Sequence, residues 1–148
     1  MDYDSVVSEL FTRIPRLHEV YQQKFGYMDG EPPLPYMVFG SVLLPALEDG
    51  LALGDLATIL PICAFLEDAA VFARSDSGLE SLLRIEVGEW LGGIDNEAFL
   101  TPWLGSETKR ICRYVPGLAT QRRTLQKERQ EQTVKNRMRR LLRKLTGK

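Results

Sequence analysis

The chain has 148 residues, of which 44% are hydrophobic and 26% charged, with 8 prolines and 2 cysteines. That length and apolar content suit one packed core, and with a mean hydropathy of −0.18 they fit a globular chain rather than a disordered one. The net charge of −1 hides an asymmetry: residues 1–116 hold 18 acidic and 8 basic side chains, whereas residues 117–148 hold 11 basic and 2 acidic ones. The two parts thus carry −10 and +9. This division predicts an acidic helical domain, 1–116, joined to a basic helical arm, 117–148, through a hinge at Val115-Pro116-Gly117. No uninterrupted apolar run reaches the roughly 18 residues of a membrane span, because Thr58 and Pro61 break the longest one. The acidic start Met1-Asp2-Tyr3-Asp4 is unlike a signal peptide, so a cytoplasmic location is expected, with Cys63 and Cys112 as buried, reduced thiols.

Taken in chain order, Val6, Val7, Leu10, Phe11, Ile14, Leu17, Val20 and Tyr21 recur three or four apart and predict helix. Pro15 inside that stripe predicts a kink or two abutting helices. Residues 27–35, rich in proline, predict an irregular loop, after which Pro35 suits the first turn of a second helix ending near Asp49-Gly50. Asp55 is expected to cap a third helix reaching about Arg74, with a stripe wide enough for burial on more than one side. A fourth helix, 79–91, is stopped by Gly92-Gly93, and its register places Trp90 in the core against the third. Short helices are expected near 96–103 and 106–115. No stretch alternates with period two, so the fold class is all-α: a compact array of antiparallel helices, with HEAT-like hairpins suggested by a faint 24-residue echo between Gly54 and Gly78.

The chain carries no catalytic signature. His18 is the one histidine and has no nucleophile in a recognisable motif beside it, so it is read as a surface residue next to Glu19. No zinc spacing and no phosphate-cradling glycine loop is present, and neither metal nor cofactor is expected. Glu67, Asp68, Glu86 and Glu89, on two consecutive helices, are the densest carboxylates. A carboxylate-dependent hydrolase could use such a cluster, but an acidic face for a basic protein partner, with Tyr27 and Tyr36 as exposed aromatic anchors, is favoured.

In the arm, Val134, Met138, Leu141 and Leu145 fall at i, i+4, i+7 and i+11, widened by Leu142, and Arg137, Arg139, Arg140, Arg143 and Lys144 lie around them. A basic amphipathic helix of this kind suits an anionic membrane, a partner's groove or a phosphate backbone, although the arm has no aromatic residue for base stacking. Charge favours covering its stripe with the acidic body or with a second copy in a homodimer.

The segments LPYMVFG at 34–40, FLE at 65–67 and LESLLRIEVGEWL at 79–91 resemble a family of small bacterial all-helical domains of unknown function, some of them immunity-protein-like. The resemblance covers about residues 5–115 and omits the arm, and family members carry histidine where this chain has Tyr36. It implies a binding protein rather than an enzyme and brings no catalytic residues. The expected function is therefore toxin-neutralising protein binding through the acidic face. The alternative is a regulatory or adaptor protein whose basic helix engages nucleic acid or anionic membrane.

Overall fold

The computed structural model describes residues 1–28 and 30–147. Asp29, in the predicted loop, and Lys148, the last residue of the predicted arm, lie outside the described residues. Eight helices and no strand occur among the described residues: α1 Val6–Arg13, α2 Pro15–Phe25, α3 Pro35–Leu53, α4 Leu56–Phe72, α5 at 77–91, α6 Glu97–Leu100, α7 Ser106–Ile111 and α8 Leu118–Thr146. The all-α class is as the periodicity predicts.

Proline decides several boundaries. Pro15 does not kink one helix but starts a second, since its missing N–H costs nothing in a first turn. Pro45, in contrast, stays inside α3. It follows a π-helical turn at Phe39–Leu43, and the Ser41 carbonyl, which would have bonded to residue 45, accepts instead from Lys24 Nζ at 2.7 Å. Pro61 likewise sits within α4 on its exposed side, where water can satisfy the carbonyl it leaves unbonded. These two accommodations correct the expectation about apolar runs: α3, and α4 with its 3-10 extension to Ser75, are long and apolar enough to cross a membrane by length and composition. Both nevertheless furnish the core, through Phe39, Leu43 and Leu47 of α3 and Ile59, Ile62, Phe65 and Leu66 of α4.

Helix α4 is the hub, packing against α1, α3, α5 and α7. Asp55 caps it as expected, accepting from the Ala57 amide at 3.1 Å and the Thr58 hydroxyl at 2.7 Å. Helix α3 runs past Asp49-Gly50 and ends instead at Gly54, whose φ of 64° closes the last turn. Gly50 serves another purpose, because a Cβ there would lie 3.1 Å from Thr58 Cγ2 and 3.3 Å from Ile59 Cγ1, so its absence lets α3 and α4 approach closely. Asp76 caps α5 and ties down the N-terminus at once, accepting from the amides of Leu79 and Tyr3 at 2.9 Å each. Trp90 is only half-buried at the edge of the core, which corrects the expectation of a buried indole. Both thiols are buried and free.

Candidate functional site

The four carboxylates expected to form one acidic face have four different surroundings. Glu67 is not a free surface charge: its carboxylate accepts from the backbone N–H of Glu107 and of Thr108 and from the Thr108 hydroxyl, each at 2.9 Å. It is the cap of α7, supplied from α4, and this is the correction to its predicted role. Burial pushes its carboxyl up, but these three hydrogen bonds outweigh it and hold the group below the usual range. Asp68, exposed, pairs with Arg13 of α1. Glu86 is half-buried against α3, with Oε2 at 3.0 Å from the place a Gly40 Cβ would take; burial, and then Glu89, push its carboxyl up. Glu89 is exposed and lines a groove with Arg84 and Arg113. Tyr27 is 82% exposed, as expected, whereas Tyr36 is half-buried against the Tyr3 ring, centroids 6.3 Å apart. His18 is exposed and stacks on Phe11. No group of side chains suited to a metal ion occurs among the described residues.

The basic helix gives a different picture. Its root is fixed by a residue that the sequence reading passed over. Glu97, 7% exposed, accepts from the Tyr114 hydroxyl at 2.6 Å, from the Gly117 amide at 2.7 Å and from the Thr120 hydroxyl at 3.5 Å. Burial raises its pKa, the hydrogen bonds from Tyr114, Gly117 and Thr120 lower it, and the net result lies below the usual carboxylate range. Gly117 turns the chain into α8 with φ 80°, Ala119 is buried, and Arg123 bonds the Gly93 carbonyl and pairs with Asp95. Only tertiary contact distinguishes Glu97 from the other acids, which is why spacing could not single it out.

Beyond that root, every residue from Thr124 to Gly147 is exposed. Val134, Met138, Leu141, Leu142 and Leu145 are 50–83% exposed, so the acidic body does not cover them as charge had suggested. Geometry explains this. Bonds from α8 to the body end at Arg123, 11 residues or about 17 Å before Val134, and from there the five side chains span an arc of about 100°. The stripe thus begins where α8 has already left the body. Lys135, Arg137, Arg139, Arg140, Arg143 and Lys144 occupy the rest of the circumference.

Comparison with known proteins yields no matching family model, no matching curated relative and no matching solved structure.

Proposed function

We propose that this is a binding protein, not an enzyme, and that it attaches to an anionic lipid surface through α8. The observation that carries the reading is the exposed stripe from Val134 to Leu145 embedded among six basic residues, with no acidic residue after Glu131. A helix lying in a bilayer interface uses both features: the stripe enters the acyl boundary, and long Lys and Arg side chains reach back to the headgroups. Each basic residue near an anionic surface contributes about 1 kcal/mol. A nucleic acid backbone would use the charges but leave five apolar side chains in water. Toxin neutralisation through an acidic face draws less support, because Glu67 is committed to capping α7 and Asp68 to Arg13.

Co-sedimentation with phosphatidylglycerol-containing vesicles tests the reading. The full chain should pellet with these vesicles and not with neutral phosphatidylcholine ones, and raised salt should release it. Leu141→Glu with Leu145→Glu should remain in solution. Equal binding by this double variant, or no binding by the full chain at low salt, overturns the reading; a concentration-dependent dimer that the same double variant abolishes would transfer the stripe to a second copy.

A further inference from the structure

The geometry points to a separate binding site for a small phosphate monoester in the groove between α5 and the root of α8. Two adjoining cavities there, of about 250 and 340 Å³, share Arg84, Glu89 and Arg113, and Arg122 joins the first. Volumes of this size suit a small ligand.

Three guanidinium groups in one groove are out of character for a body of net charge −10. Elsewhere Arg13, Arg74, Arg110 and Arg123 each pair with a carboxylate, and Arg16 donates to the Thr58 hydroxyl. Arg113 and Arg122 make no ion pair among the described residues, and Arg84 has only a 3.9 Å contact with Glu80. Guanidinium groups left free in a concave, partly apolar site favour an oxyanion that can accept several N–H bonds at once, as a phosphate does.

The backbone at Arg113 is an independent reason. The Tyr114 amide bonds to the Lys109 carbonyl at 2.9 Å and the Arg113 amide to Arg110 at 3.2 Å, so α7 ends in a Schellman turn with Arg113 at its left-handed position. Its φ is 50°, a conformation that glycine adopts without strain and arginine does not. A costly side chain at this position, on the wall of that groove, marks a site where the side chain is wanted. Glu89 on the same wall would repel a bare anion but accept a hydrogen bond from a hydroxyl or amino group beside the phosphate, which selects a substituted monoester over inorganic phosphate.

Calorimetric titration of the full chain with glycerol 3-phosphate and with inorganic phosphate tests the site. Glycerol 3-phosphate should bind saturably, one per chain, and more tightly than inorganic phosphate. Arg113→Gly should weaken it by about tenfold or more while raising Tm by about 3 °C, since relief of backbone strain and loss of the ligand contact go in opposite directions. Glu89→Gln should abolish the preference over inorganic phosphate. The same chemistry occurs in a lipid headgroup, so vesicles containing phosphatidic acid, compared with phosphatidylglycerol ones of equal charge, separate the sources: a preference for phosphatidic acid that Arg113→Gly removes, without binding of the soluble ester, assigns the site to lipid. Loss of the α8 stripe leaves the soluble arm of the experiment unchanged, so this inference and the membrane reading fail separately. Absence of both soluble binding and headgroup preference, or unaltered binding by Arg113→Gly, overturns the proposal.

Discussion

The carboxylate of Glu97 holds the backbone N–H of Gly117 at 2.7 Å, and with it the point where the acidic fold hands over to the basic helix. Twenty residues separate the two in sequence, so the direction in which α8 leaves is set by a tertiary bond and not by the local chain. Glu97→Gln keeps the shape but replaces charge-assisted acceptance with a weaker neutral one. It should cost about 1–2 kcal/mol in chemical denaturation, with amide exchange accelerated first in residues 117–123.

Acid should reveal the same bonds collectively. Glu67 and Glu97 have carboxyls held below the ordinary glutamate value of 4.5, and Arg74 with Arg110 takes Glu107 down to about 2. A carboxyl with a lower pKa in the folded state binds fewer protons there than in the unfolded chain, so stability rises with pH across that interval. These contributions are fully present above about pH 4.5 and are lost as pH falls toward 2. Thermal melts from pH 7 to pH 2 should show Tm falling below pH 4.5, whereas the raised carboxyl of Glu86 works the other way, above 4.5; a Tm that holds constant down to pH 2 would contradict the assignment.

Glu67 can be tested from both sides of its contact. Glu67→Ala removes the cap of α7 and should cost about 1–3 kcal/mol. Gly105→Ala leaves Glu67 in place, but the new Cβ would collide with that carboxylate, so it should reproduce the loss. Glu89→Ala, at an exposed position, should stay within about 0.5 kcal/mol of the parent in the same urea titration.

Core truncations should rank by burial. Phe65, 1% exposed and set against Phe39 with centroids 6.4 Å apart, should cost about 3–5 kcal/mol as Phe65→Ala. Trp90→Ala should cost about half of that, because its indole is only half-buried.

Both thiols should be silent until the fold opens. Burial pushes Cys63 up to about 11 and Cys112 up to about 12, so neither supplies thiolate at neutral pH. A thiol-reactive chromogen should titrate two groups in denaturant and none within minutes in the native protein.

Helix content, the Asp55 cap, the start at Pro35 and a long C-terminal helix were all legible from periodicity and capping residues. Those signals are local, and so is what they report. The way α3 accommodates Pro45 was not legible, because the carbonyl it frees is taken by Lys24 reaching Ser41 from another helix. The carboxylate cluster was misleading for the same reason: neighbours in sequence, Glu67 and Asp68 look alike, yet one meets the start of α7 and the other meets Arg13. Glu97 and Arg113 gave no pattern at all, one defined by what it accepts and the other by a backbone angle.

The place of the stripe along α8 has one more effect. Val134 comes 16 residues after Leu118, a rise of about 24 Å along a straight helix. Mobile salt at physiological strength attenuates a potential e-fold in about 8 Å, so over that span the field of the acidic body drops roughly twentyfold before it reaches the stripe. The carboxylates of the folded part thus scarcely offset the positive charge at the far end of the helix, and shortening the rod by whole turns would bring the two sets of charge within reach of each other.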